Sequence, residues 1–350
     1  MAALLPALLA PGLPPARATG YPDPGRANGS PGIPDRPSAA ETAPCLHQGG
    51  EPTGQPVLVL HGTNGSSASA LTAPFAKPLF GSGGSLDARK CFNIIPDSIG
   101  AGRPAKPSDG MRARFPDYND DDMVLAQCRL VTEGLGIRHL RLVLGNSMGG
   151  MHASLWGTTY SEMADALVPM ASQLTEMASR NGMLQRMISV AMRNDPDWKG
   201  GEYTTQPRAV QMADAFFGIA ISGGTLAFQA EAQAPTREAA DRLLDARLKA
   251  PLNGDANDVM YRWNALREYN PQELERIRVP VLAINSAADE RSPPETGLME
   301  QALARMPMAR LHLIPASSEP RGHGTTGFTW LWAAEMGRFL TELPEPAAIR

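Results

Sequence analysis

The run from residue 140 to residue 150, Leu-Arg-Leu-Val-Leu-Gly-Asn-Ser-Met-Gly-Gly, constrains this chain more than any other stretch. A strand pattern over 140–144 leads directly into Gly145-Asn146-Ser147-Met148-Gly149, and a helical pattern follows from Met151. A strand that becomes a helix within so few residues must turn sharply. Large side chains would collide there, which explains the glycines at 145 and 149. Ser147 then stands strained at the tip, with its hydroxyl aimed out of the sheet. The N-terminus of the helix behind it carries partial positive charge and favours a developing oxyanion. A Gly-rich turn without chemistry is the alternative, and the strand before and helix after argue for the nucleophile.

Further apolar runs with polar or glycine exits occur at 57–60, 92–96, 166–170, 279–285 and 311–315. Continuous runs of this kind indicate strands buried on both faces. Helical patterns are predicted at 120–134, 294–304 and 326–340. The alternation implies an α/β fold with a mostly parallel central sheet, right-handed crossovers and helices on both faces. Chemistry in such sheets gathers at the C-terminal strand ends. Between 173 and 278 the strand signal stops and a helical insertion is expected, broken at Pro207, Pro235 and Pro251. Met177, Met183, Met187, Met192, Met212 and Met260 fall in it; ordinary helix packing is the first reading, and an adaptable apolar cover over a pocket the second.

A serine needs a base, and the base needs an orienting acid. Of six histidines, His47 lies in a Pro/Gly-rich tail, His61 closes a strand, and His139 and His312 precede or lie within strands. His152 is one turn beyond Ser147 and points away. His323 follows the last strand in a loop of small residues and is the expected base. Asp289, four residues past the 279–285 strand, is the expected acid; Glu290 and Asp97 are its rivals. Two backbone N–H groups are needed for the oxyanion. Met148 offers one, and Thr63, in the His61-Gly62-Thr63 loop after an early strand, offers the other. Arg112 and Arg114 could bind a substrate carboxylate, but solvated loop charge is the plainer reading.

The chain order Ser147, Asp289, His323 and the Leu60-His61-Gly62-Thr63 loop resemble the α/β-hydrolase superfamily. The finer resemblance is to its homoserine O-acetyltransferase-like branch. It rests on Ser147-Met148-Gly149-Gly150-Met151, on Arg193-Asn194-Asp195-Pro196-Asp197-Trp198-Lys199-Gly200-Gly201 followed by Tyr203 and Gln206-Pro207, and on Asp255-Ala256-Asn257-Asp258 through Tyr269-Asn270. It spans roughly residues 56–342. The resemblance implies an α/β-hydrolase fold with an inserted helical lid, a Ser-His-Asp triad, no metal or organic cofactor, and a homodimer formed through the lid. It also implies a pair of strands before the one at Val57, for which residues 1–56 offer no pattern. Two departures bear on the reaction. Gly324 follows His323 where the acetyltransferases carry an acid that helps hold the amino acid acceptor. The segment Pro116-Asp117-Tyr118-Asn119-Asp120-Asp121-Asp122 replaces an arginine-bearing one.

The sequence reading is therefore a serine hydrolase of carboxylic esters, extending to amides, acting on a small-molecule ester or acyl substrate. The alternative is an O-acyltransferase using acyl-CoA. A net charge of −4 leaves no basic footprint for nucleic acid. No apolar run is long enough for a membrane-spanning helix. Cys45, Cys91 and Cys128 are an odd, widely spaced set without metal spacing, which disfavours a disulfide framework. The domain reading is a signal-peptide-like segment at 1–18, a Pro/Gly-rich disordered tail at 19–55, core at 56–172, helical lid at 173–278 and core again at 279–345. If 1–18 is a signal peptide the protein is secreted or periplasmic; otherwise it is cytoplasmic.

Overall fold

The structure is a computed structural model and describes residues 46–49, 53–222, 234–251, 254–317, 319 and 321–345. The expected leader at 1–18 and most of the expected tail lie outside the described residues. Seven strands form one sheet: β1 (Leu46–Gly49), β2 (Gln55–Leu60), β3 (Cys91–Pro96), β4 (Leu142–Asn146), β5 (Leu167–Met170), β6 (Val281–Ser286) and β7 (Ala309–Ile314). Their order is β1-β3-β2-β4-β5-β6-β7. β1 pairs antiparallel with β3, and every other neighbouring pair is parallel.

β2, β4 and β5 read as apolar runs because each is covered on both sides, whereas the edge strand β7 carries Arg310 and His312 and is mostly half-buried. Leu58, Leu60, Ile94 and Val143 pack into one core layer. Their neighbours along the same strands, Val57, Val59, Ile95, Leu142 and Leu144, pack into the other. On the first face lie α2 (Asp120–Arg129), α3 (Met148–Thr159) and α8 (Leu298–Leu303); on the second lie α1 (Ala73–Phe80) and α9 (Ala333–Glu342). At about 1.5–3 kcal/mol per fully buried aliphatic side chain, these two layers carry most of the drive to fold.

β1 corrects the sequence reading, which placed 46–49 in the tail. Four residues are too few to display a period, and the strand exists because β3 offers it a free edge: Leu46 pairs with Pro96 and Gly49 with Asn93. The expected helices also shorten. The 120–134 helix runs as α2, with Asn119 capping it through Asp122 N–H, and then widens into a π-turn over Leu130–Gly134. The 294–304 helix breaks at Gly297, whose φ is 64°. The 326–340 helix begins at Ala333, because tertiary bonds claim the threonines before it. Thr329 Oγ1 donates to the Phe75 carbonyl at 2.9 Å, and Trp332 Nε1 to the Thr326 carbonyl at 2.9 Å.

Between β5 and β6 the described residues form four α-helices: α4 (Ser179–Asn194), α5 (Ala209–Ile221), α6 (Arg237–Lys249) and α7 (Ala256–Ala265). Ile188, Met192, Val210, Met260 and Trp263 give this segment its own small core. Of its methionines, Met192 and Met260 pack inside, whereas Met183, Met187 and Met212 are exposed.

Candidate active site

β4 delivers Ser147. The residue has φ 55° and ψ −115°, a strained conformation for a side-chain-bearing residue. Its N–H donates to the Met170 carbonyl at 2.8 Å, which pins the turn to β5. The turn admits nothing larger than glycine on either side. A Cβ on Gly145 would stand 2.0 Å from the Gly149 carbonyl oxygen, and one on Gly149 would stand 2.3 Å from that of Leu60. The sequence pattern thus reflects contact with the neighbouring turn and strand, as well as local backbone geometry.

β7 ends in a stretch that leads to His323, which sits in a 3-10 turn at Gly322–Gly327. His323 Nε2 lies 2.8 Å from Ser147 Oγ, and its Nδ1 lies 2.8 Å from Asp289 Oδ2. The other Asp289 oxygen accepts the Arg291 N–H at 2.9 Å. Burial alone would raise the Asp289 carboxyl. The charge and hydrogen bond of His323, then the Arg291 N–H and guanidinium, outweigh burial and hold the carboxyl below its usual range. With Asp289 ionised, the proton of the pair sits on Nδ1 and leaves the Nε2 lone pair facing the serine hydroxyl.

The rival acids are engaged elsewhere. Glu290 pairs with Arg180 of α4 at 2.8 Å on the surface. Asp97 accepts the N–H groups of Ser67 at 2.6 Å and Arg103 at 3.3 Å, shaping its own loop. Arg112 donates to the Tyr203 carbonyl at 2.7 Å, so its role is in the helical segment.

The loop after β2 is fixed by His61. Ser98 N–H donates to His61 Nε2 at 3.0 Å, so the ring proton must be on Nδ1, which donates to the Gly62 carbonyl at 2.8 Å. Burial drives the imidazole pKa down to about 4, against smaller opposing effects from the Gly62 bond and the charge of Asp97. His61 is therefore neutral and structural. Gly62 lies against the serine, where a Cβ would be 3.3 Å from Ser147 Cβ. Thr63 follows, buried, with its carbonyl accepting from Arg262 of α7 at 3.0 Å. Among the described residues, the N–H groups of Thr63 and Met148 donate no turn, loop or side-chain hydrogen bond.

His152 and His139 have partners of their own. His152 is completely buried, with Nε2 3.0 Å from Asp120 Oδ1 and Nδ1 2.9 Å from Gln127, which in turn accepts from Trp156. His139 pairs with Asp165 at 2.7 Å. Sequence reasoning missed two supports. Thr326 Oγ1 donates to Asn146 Oδ1 at 2.5 Å, tying the His323 loop to the elbow. Asn285 brackets Ser172, accepting its N–H at 3.2 Å and donating to its carbonyl at 3.1 Å. Asn146 occupied a free position of the elbow motif, so only its partner reveals it. Among the described residues no group of three or more His, Cys, Asp or Glu is arranged to hold a metal ion, and no helix is long and apolar enough to cross a membrane.

Residues 57–338 match the model of the Alpha/beta hydrolase family. The chain belongs to this family. The homoserine O-acetyltransferase of Moorella thermoacetica is 35% identical over 171 residues, 43% of this chain and 45% of that protein. The chain thus aligns with less than half the length of that curated relative. Among solved structures, an acetylester hydrolase from Corynebacterium glutamicum has a TM-score of 0.70 at 18% identity, covering 85% of this chain and 89% of its own. The homoserine O-acetyltransferase from Bacillus anthracis has a TM-score of 0.71 at 19% identity, covering 86% and 93%. The α/β-hydrolase is therefore homoserine acetyltransferase-like in sequence and fold, and the proteins it resembles are enzymes.

Proposed function

We propose that this α/β-hydrolase is a serine hydrolase of small carboxylic esters. The observation that carries the reading is the unbroken line of two 2.8 Å hydrogen bonds from Ser147 through His323 to Asp289. In the first half-reaction Ser147 Oγ attacks the ester carbonyl carbon while its proton passes to His323 Nε2. The negative charge on the carbonyl oxygen falls on the Thr63 and Met148 N–H groups, which have no competing acceptor among the described residues, and on the N-terminus of α3. Asp289 steadies the imidazolium. When the tetrahedral adduct collapses, the bond to the alcohol oxygen breaks and His323 returns the proton to it. Acyl-Ser147 remains. Water then attacks the acyl carbon and gives a proton to His323, and collapse releases the carboxylic acid and restores the Ser147 hydroxyl.

Acyl transfer shares every step up to the acyl-enzyme, and the homoserine O-acetyltransferase relative favours it as a second reading. Against it stands Gly324, exposed beside His323 with only Arg321 Cβ, at 4.0 Å, near the place of a side chain. There is no carboxylate at that position to hold an amino group, so water is the favoured acceptor. The test offers purified protein and Ser147→Ala a p-nitrophenyl ester and acetyl-CoA, each with and without homoserine or serine. The reading expects ester cleavage that disappears in Ser147→Ala and is indifferent to the amino acids. CoA release dependent on an added hydroxyl compound would establish the transferase instead.

A further inference from the structure

Arg262 is an unusual cation. It projects from α7 and donates through Nη1 to the Thr63 carbonyl at 3.0 Å. Its Nε is buried and has no hydrogen-bond partner. Among the described residues no carboxylate forms an ion pair with it. Asp258, one helical turn earlier, acts on it only at longer range, because its two oxygens are taken by the Ser108 N–H at 2.9 Å and hydroxyl at 2.7 Å. Burial accordingly pushes the guanidinium below its usual range, with Tyr118 and Asp258 opposing. A half-buried guanidinium with no counter-ion and one buried N–H left unsatisfied is costly to keep.

The place of Arg262 supplies the ligand. It lines a cavity of about 250 Å³ together with Asn64, Gln211, Asp214, Arg247 and Trp263. Asn64 is the residue after Thr63, so the cavity borders the oxyanion loop. Thr63 N–H and carbonyl are ends of one residue, which puts the guanidinium within about 7 Å of the proposed oxyanion donor. Asp214 is exposed and Arg247 half-buried, so the charged groups on the wall are two cations and one rim anion.

We propose that Arg262 is a specificity-determining residue that binds a carboxylate on the substrate, carried two to four atoms from the scissile carbonyl. The inference rests on the ester-hydrolase reading and narrows its substrate class to anionic esters. A planar guanidinium that keeps unpaired N–H groups in a cavity wall suits a carboxylate better than a neutral oxygen, and the charge-assisted bond favours it further.

Two matched pairs test it, each followed by alkali uptake at constant pH. Monomethyl succinate against methyl butanoate places the charge on the acyl side. 3-Acetoxypropanoate against propyl acetate places it on the alcohol side. Wild-type protein should prefer the anionic member of at least one pair by about tenfold or more in kcat/KM. Arg262→Gln should bring that ratio to about one, and Arg262→Lys should retain part of it. The ratio is the readout because Arg262 also braces Thr63, and its loss will slow both esters. Should Arg262→Gln fail to fold, butanoate against butan-1-ol as competitive inhibitors of wild-type neutral-ester cleavage reads the same recognition, and equal inhibition overturns it. Absence of an anionic preference in both pairs, or its persistence in Arg262→Gln, also overturns it. Neutral-ester cleavage that survives in Ser147→Ala would instead sink the hydrolase reading beneath it.

Discussion

Asp289→Asn tests the proposed mechanism at one atom. Both Asp289 oxygens accept N–H groups, His323 Nδ1–H at 2.8 Å and Arg291 N–H at 2.9 Å. Asparagine keeps one acceptor and turns the other into a donor. If its oxygen serves His323, the amide NH₂ confronts the Arg291 N–H and a buried bond is lost, at about 1–3 kcal/mol of stability. If its oxygen serves Arg291, the NH₂ faces Nδ1, the imidazole proton moves to Nε2, and the ring can no longer accept from Ser147. The second arrangement disables the base, and the first removes the charge that steadies the imidazolium. Either way kcat should fall about 10³–10⁴-fold, or about 4–5.5 kcal/mol of barrier. The assay is the initial rate on p-nitrophenyl acetate at saturation, with a thermal melt to show that the fold survives. Glu290→Gln, which breaks only the surface pair with Arg180, is the control and should stay within about twofold. An Asp289→Asn protein that keeps its melt and more than a tenth of its rate would refute the orienting role, as would a Glu290→Gln protein that loses its rate.

Two further predictions concern the frame. His61, with a folded pKa of about 4 against 6.5 unfolded, binds fewer protons folded than unfolded between those values. Its contribution is therefore complete above pH 6.5 and drains away as pH falls towards 4, by about 3 kcal/mol. NMR titration of the histidine rings should find this imidazole uncharged at pH 5.5, and a midpoint at or above 6.5 would refute the neutral, loop-fixing role. Gly149→Ala must move backbone, since its Cβ would meet the Leu60 carbonyl at 2.3 Å. It should destabilise by about 1–3 kcal/mol in chemical denaturation. Gly327→Ala, with nothing within 4 Å, should stay within about 0.5 kcal/mol, and equal behaviour of the two would undo the close-packing account of the elbow.

The elbow, the parallel strands and the chain order of Ser147, Asp289 and His323 are legible in the residues alone. Each of these is written in local pattern: unbroken apolar runs, because such strands are covered on both faces, and glycines where backbones touch. Tertiary structure decided what depends on a partner distant in the chain. β1 exists because β3 has an edge to fill. α9 starts late because Thr329 and Trp332 bond to distant or looped carbonyls. Asp289 rather than Glu290 meets the histidine because the turn after β6 aims one inward and gives the other to Arg180. Arg262 gave no signal at all, since a lone arginine on a helix reads as a solvated charge. Only the folding of α7 over the Thr63 loop half-buries it and places it in the wall of a cavity.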